Sequence, residues 1–338
     1  MREEKRIANE KKLKRYRSQP DPDEEDLTTT EETTAYPLED ENTPIISPET
    51  LEDNEDNDET EESNHKVKKI IFWSIILFIT FFIYTSNIAT RIIEVKEYKI
   101  TVNNIPTSFD GLKVVHFSDL HYGTTINENE LKKIVNKINE LKPDLVFFTG
   151  DLIDKNIKLN DENIKFLKEE LSKINPQLYK YAIYGDEDNE SFKDIMESSQ
   201  FIILNNETKL LYYQDNTPIL IAGFNNNDNP NYTILTDLIN EIDPSSLFKI
   251  VLTHQPDTTD NFITYNPDLI LAGHTLGGLV KLPFIKPLFL QEGAQKYYNS
   301  FTEINNTKLF ISNGLGTSSI TIRLNNHPSI NFYRFYKA

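Results

Sequence analysis

One stretch of this chain has no polar face at all. From Ile70 to Ala89 the sequence reads IIFWSIILFITFFIYTSNIA, twenty residues without a charge. At 1.5 Å per residue such a helix reaches about 30 Å, the thickness of a bilayer's hydrocarbon core. A helix packed on a protein core would carry a polar stripe, and this one carries none. Trp73 and Tyr84 lie toward the two ends, where interfacial aromatics belong. Sixty-nine residues precede the run, which argues against a cleavable signal peptide. The pattern predicts one transmembrane helix over 70–89.

After residue 92 the pattern changes to short apolar runs alternating with helical spacings. Leu112–Phe117 (LKVVHF) predicts a strand, and Leu131, Ile134, Val135, Ile138 and Leu141 predict a helix over Glu128–Leu141. Leu145–Thr149 is a second strand, Ile164–Ile174 a second helix and Tyr179–Tyr184 a third strand. Later strands are expected at Ile219–Phe224, Lys249–Thr253, Leu269–Ala272 and Lys308–Ser312, with Ile320–Phe335 mostly β. Strand–helix alternation predicts an α/β fold with helices on the faces of a sheet, occupying residues 92–338.

Charge separates a third segment. The chain has 35 Lys+Arg against 53 Asp+Glu, a net −18. Residues 1–64 hold 22 acids and 8 bases, so most of the excess lies there; residues 21–64 carry 19 acids and no base. Such a composition cannot bury enough apolar surface to offset ordering, and predicts a disordered acidic tail. The near-neutral remainder disfavours a nucleic-acid binder. Bases flank the apolar run on both sides, at Lys66, Lys68 and Lys69 and at Arg91, Lys96 and Lys99. The basic stretch 1–17 tips the balance toward a cytoplasmic tail and an extracytoplasmic C-terminal domain in the cell membrane.

No cysteine occurs, which excludes disulfides, zinc–thiolate sites and thiol nucleophiles. The chemistry-bearing residues fall instead where predicted strands stop. The strand ends read Ser118-Asp119-Leu120-His121, Gly150-Asp151, Gly185-Asp186-Glu187-Asp188, Thr253-His254-Gln255 and Gly273-His274. In open α/β sheets the crevice beyond the strands' carboxyl ends is where sites lie. A single Asp there is commonly a helix cap. Five strand ends delivering Asp or His to one edge are hard to explain as caps. Imidazole and carboxylate without sulfur suit Mn, Fe, Zn or similar divalent ions. A carboxylate such as Asp151 can bridge two of them, and a pair of ions about 3.5–4 Å apart can clamp a phosphate.

At these residues the sequence resembles the calcineurin-like metallophosphoesterase superfamily, whose pattern is D-x-H, G-D, G-N-H-[DE], a later His, and G-H-x-H. The correspondence runs through Asp119-Leu120-His121, Gly150-Asp151, Gly185-Asp186-Glu187-Asp188, His254 and Gly273-His274-Thr275-Leu276. Phe109-Asp110-Gly111-Leu112-Lys113 leading into FSDLHYG, Gly277-Gly278 and Gly314-Leu315-Gly316-Thr317 are similar to a membrane-associated bacterial branch. Members of that branch are known as phosphodiesterases or as relatives of UDP-diacylglucosamine hydrolases. The resemblance implies two packed β-sheets flanked by helices, a four-layer sandwich. It implies Asp119 and His121 as ligands of a first metal, Asp151 as the bridge, and Asp186, His254 and His274 as ligands of a second.

Three positions depart from the family. Asp186 stands where the family has Asn, Glu187 where it has the His that donates to phosphate or leaving oxygen, and Leu276 where it has the last His. Leucine cannot bind metal, and Glu187 would serve as a general acid only with a raised pKa. His65, His116 and His327 offer no evident replacement. Glu187 and Asp186 are the catalytic candidates. The expectation is a metal-dependent phosphodiester or pyrophosphate hydrolase with one or two ions and a weakened first site. The alternative is a catalytically degenerate protein that binds a metal or a phosphorylated ligand at the cell envelope. Expected partners are a phosphorylated small molecule or lipid-linked phosphate and the membrane; no residue names a partner for the tail. The apolar stretch Leu282–Leu290 (LPFIKPLFL) either packs as a loop or rests on a membrane surface.

Overall fold

The computed structural model describes residues 56–225 and 247–338. The predicted acidic tail lies outside them, apart from its last residues. These belong to a helix, α1 (Asp56–Ile83), that continues into a single π-helical turn, Tyr84–Ile88. Helix formation therefore begins well before Ile70. The apolar segment Ser63–Ile88 is long enough to cross a membrane, and almost all of its large side chains are exposed.

Two six-stranded sheets follow. The first is built from β1 (Glu94–Val102), β2 (Lys113–Phe117), β3 (Leu145–Phe148), β4 (Tyr179–Ala182), β5 (Ile202–Ile203) and β12 (Ser329–Lys337), in the order β1-β12-β2-β3-β4-β5. The second contains β6 (Glu207–Leu211), β7 (Ile219–Gly223), β8 (Phe248–Leu252), β9 (Leu269–Ala272), β10 (Phe301–Ile304) and β11 (Thr307–Ile311), in the order β10-β11-β9-β8-β7-β6. Strands β2 to β5 are mutually parallel, as are β7, β8, β9 and β11. Parallel strands covered on both faces read as continuous apolar runs, and β3 (LVFF) and β9 (LILA) are wholly buried for that reason.

The sheets pack face to face through Val114, Leu145, Phe147 and Ile183 from one and Ile221, Ile250, Leu252 and Leu271 from the other. Helices α2 (Glu128–Glu140), α3 (Asp161–Ser172) and α4 (Glu190–Ser198) cover the outer face of the first sheet. Each is capped by an asparagine, Asn127, Asn160 or Asn189, whose side chain accepts from first-turn N–H groups. Leu131, Ile134, Val135 and Ile138 are buried on the inward face of α2, as their spacing predicts. Burial of each such side chain stabilises the fold by about 1.5–3 kcal/mol. The α/β class and the two packed sheets flanked by helices are as expected.

Two local expectations are corrected. Within 320–328 there is no strand, only the isolated bridge of Leu324 to Val280. This segment is held from within by Arg323, fully buried, whose guanidinium donates to the carbonyls of Asn313 (2.9 Å), Gly316 (2.7 Å) and Gly314 (3.2 Å). Strand β1 was not expected either, because as an edge strand it stays half-exposed and mixes charges with its apolar positions. The π-turn and the residue after it are tied to this same region. The N–H of Arg323 donates to Thr85 O (2.9 Å), and His327 Nδ1 lies 3.3 Å from Ala89 O.

Candidate active site

Strands β2, β3 and β4 of one sheet and β8 and β9 of the other end at a common edge, and their following residues converge. The backbone there is tightly turned. Asp119, His121, Asp151, His274 and Leu276 all have positive φ, between 42° and 67°. Non-glycine residues held this way cluster at functional sites, where the surroundings over-determine the conformation. Gly150, at φ 91°, and Gly185 face one another so closely that a Cβ on Gly150 would strike the Gly185 backbone nitrogen.

Asp151 sits at the centre. Its Oδ2 is 3.1 Å from His254 Nε2 and 3.7 Å from His121 Nε2. Its Oδ1 accepts the N–H of Glu187 at 2.9 Å. On one side are Asp119 and His121; Asp119 accepts the His274 N–H at 3.0 Å and the Ser118 hydroxyl. On the other side, His274 Nδ1 lies 3.3 Å from His254 Nε2 and 3.2 Å from Asp186 Oδ2. The second nitrogen of each of these histidines is fixed by backbone: His254 Nδ1 is 2.6 Å from Thr149 O, and His274 Nε2 is 2.6 Å from Glu292 O. Such outer contacts set the tautomer and aim the remaining nitrogen at a ligand.

The structure thus brings together all seven sequence-predicted residues: Asp119, His121, Asp151, Asp186, Glu187, His254 and His274. Three groups have ligand atoms within 4.8 Å of one another: Asp119–His121–Asp151 and Asp151–His254–His274, which share Asp151, and His121–Asp154–Glu187. His121 (both nitrogens) and Asp186 Oδ1 are buried with no hydrogen-bond partner. A buried polar atom left so is costly, and an O/N donor set of this kind fits a divalent cation of the Mn, Fe or Zn type. His65, His116 and His327 are not part of the site. His116 is a packed core residue between Tyr333 and Thr149.

The charges are strongly coupled. Burial alone would raise Asp151, but His254 and His121 hold it well below the ordinary carboxylate range. Burial would lower His254, yet Asp151, Asp119 and Asp186 hold it well above its ordinary value. Burial and the neighbouring Asp151 charge raise Asp119, against the pull of His254.

Glu187 behaves oppositely to the requirement for proton donation. Burial pushes its carboxyl up, but His121 and Lys155 outweigh this and bring it to about 2. Its Oε2 is 3.3 Å from His121 Nδ1, though not aligned as a hydrogen bond, and its Oε1 is 2.9 Å from Lys155 Nζ. Held this low, Glu187 stands as a carboxylate.

Of the seven, Glu187 lines a cavity of about 360 Å³, together with Lys155, Ser318, Leu276, Leu288 and Phe289, among others. The family described as "Calcineurin-like phosphoesterase" matches residues 112–278. A Bacillus subtilis protein named "Uncharacterized metallophosphoesterase YkuE" is 30% identical over 259 residues, covering 74% of this chain and 88% of the relative. The chain belongs to the calcineurin-like phosphoesterases. Further relatives of this family are a Danio rerio "Transmembrane protein with metallophosphoesterase domain" (26% identical, 70% of this chain, 56% of the relative) and a Chlamydia muridarum "UDP-2,3-diacylglucosamine pyrophosphatase LpxG" (28% identical, 52% and 67%).

Several residues of this calcineurin-like site escaped the sequence reading. Asp188 accepts from the backbone N–H groups of Gly185 (2.8 Å), Asp151 (2.9 Å) and Leu152 (2.8 Å), stitching two strand-end loops together. Its place as the last letter of the Gly185–Asp188 motif was the available signal. Gln255 donates to Asp186 Oδ2 at 2.8 Å, and its position directly after His254 marked it. Asp154, bonded by Ser318 Oγ at 2.7 Å and close to His121 and Glu187, had no signal in spacing.

Proposed function

We propose that this chain is a membrane-anchored hydrolase of phosphodiester or pyrophosphate bonds that depends on divalent metal. The observation that carries the reading is Asp151, one buried carboxylate placed between His121 on one side and His254 on the other. Asp119, His121 and Asp151 would hold a first ion; Asp151, Asp186, His254 and His274 would hold a second. Divalent ions bound there supply Lewis-acid stabilisation of phosphoryl charge and lower the pKa of water.

The chain's own residues do the rest. Thr149 and Glu292 carbonyls lock the imidazoles of His254 and His274. Asp188 fixes the backbone on which Asp151 and Glu187 sit. Gln255 holds the Asp186 carboxylate toward His274. Glu187, kept ionised by Lys155, orients His121 rather than donating a proton. Leaving-group protonation then falls to solvent, and turnover is slow. The apolar part of the cavity and the relative named as a diacylglucosamine pyrophosphatase support a lipid-linked phosphate as substrate. The tail is read as cytoplasmic and the site as extracytoplasmic.

A second reading, a phosphoesterase-like protein that binds without turnover, is favoured by Leu276, buried where the family carries a ligand. Hydrolysis of a generic phosphodiester by the purified full chain with added Mn²⁺ separates them. Turnover lost in Asp151→Ala supports the first; metal binding without turnover supports the second.

A further inference from the structure

Beyond residue 88, ten large apolar side chains are exposed among the described residues, and five of them fall in one eight-residue stretch: Leu282, Phe284, Ile285, Leu288 and Phe289. Single exposed apolar residues are ordinary on protein surfaces, but a contiguous cluster marks a contact surface. Phe284 at its tip is completely exposed. The stretch therefore does not pack as a core loop.

Its position decides what would cover it. Lys281, at its base, donates its N–H to Leu324 O (2.9 Å), and Leu324 donates back to Leu279 O (3.0 Å). The neighbouring Arg323 donates its N–H to Thr85 O in the last turn of the apolar helix. A short chain of backbone hydrogen bonds thus fixes the base of the loop to the end of the helix. Arg323's buried guanidinium stiffens that junction by donating to five further carbonyls, those of Leu276, Asn313, Gly314, Gly316 and Asn326. On the far side, Leu288 and Phe289 form a wall of the cavity that also contains Glu187 and Leu276. Lys281 and Lys286 flank the apolar tip, with Lys286 exposed. Apolar residues bordered by lysines suit the boundary between acyl chains and anionic headgroups.

We infer that Leu282–Phe289 is a second membrane contact, which seats in the same bilayer leaflet that the helix leaves and presents the mouth of the cavity to that surface. This rests on the helix being a membrane anchor but is independent of catalysis. The occupant is the lipid bilayer itself.

The chain contains no cysteine, so single labelling sites are clean. Three full-length variants, Tyr84→Cys, Phe284→Cys and Tyr212→Cys, are labelled with an environment-sensitive fluorophore. They are reconstituted into phosphatidylcholine–phosphatidylglycerol vesicles with and without nitroxide-bearing lipid. Phe284 and Tyr212 are both exposed, so neither replacement disturbs packing. The expected result is blue-shifted emission and loss of intensity by nitroxide lipid at positions 84 and 284, with neither at 212. Shielding at 84 but water-like emission at 284 overturns the docking surface while leaving the anchor intact. Water-like emission at 84 overturns the anchor, and the inference with it.

Discussion

His254 Nδ1 lies 2.6 Å from the carbonyl oxygen of Thr149, the residue just before the Gly150-Asp151 turn. That contact turns Nε2 toward Asp151 at 3.1 Å. Against the pull of burial, Asp151, Asp119 and Asp186 hold His254 well above its ordinary pKa, which favours the protonated ring beside Asp151. The linkage signs are opposite for the two partners. The raised His254 contributes stability that is full below about 6.5 and lost as pH rises through its folded value. The lowered Asp151 contributes stability that is present above about 3.8 and lost as pH falls through its folded value.

A metal must displace the His254 proton. Mn²⁺ binding is therefore expected to release protons and to weaken as pH falls below the folded His254 value. Calorimetric titration in buffers of different ionisation enthalpy measures the release. Binding with no proton release would show that His254 is not displaced.

Asp188 is expected to matter out of proportion to its distance from any substrate. Asp188→Ala leaves the N–H groups of Gly185, Asp151 and Leu152 without their acceptor. The expected loss is at least about 3 kcal/mol of stability, read by chemical denaturation, together with weaker metal binding. Asp188→Asn keeps one acceptor oxygen and is expected to fall between. A wild-type denaturation midpoint for Asp188→Ala would contradict the role.

Restoring two of the three departures from the family is expected to raise turnover. Glu187→His with Leu276→His returns a proton donor and a ligand to the edge of the cavity. A general acid contributes about 10²–10⁴-fold, and an increase of that order in kcat is expected. Leu276 already has a backbone φ of 47°, a region that histidine tolerates better than leucine. An unchanged rate in a folded, metal-loaded double variant would count against the assigned positions.

His116 supplies a pH test outside the site. Burial lowers its pKa to about 3. The unfolded chain takes the proton first, so stability is level above about 6.5 and falls with pH below it, at up to about 1.4 kcal/mol per pH unit. Thermal unfolding of wild type and His116→Gln between neutral and acid pH is expected to give a shallower loss in the variant. Parallel curves would contradict this.

The site was largely readable because its residues follow strands whose apolar runs are unmistakable. Val114-Val115, Leu145–Phe148 and Leu269–Ala272 are buried on both faces, so their ends, and the polar residues just beyond, stand out. Strand β1 was hidden because an edge strand exposes much of its length, and its pairing with β12 joins residues more than 200 apart. The segment around Arg323 misled because its buried cation is held by backbone carbonyls, which no side-chain pattern encodes. The same applies to the carbonyls of Thr149 and Glu292 that aim the histidines. Glu187 was legible as a departure, but its charge state depends on Lys155 and His121, brought beside it only by folding.

The central claim is that Asp119, His121, Asp151, Asp186, His254 and His274 hold catalytic metal. Its most direct test is the metal content of the purified full-length protein after incubation with Mn²⁺, measured by mass spectrometry beside Asp151→Ala. The account predicts stoichiometric divalent metal in the wild-type protein and its loss in the variant. A metal-free wild-type protein, or equal metal in both, would contradict it.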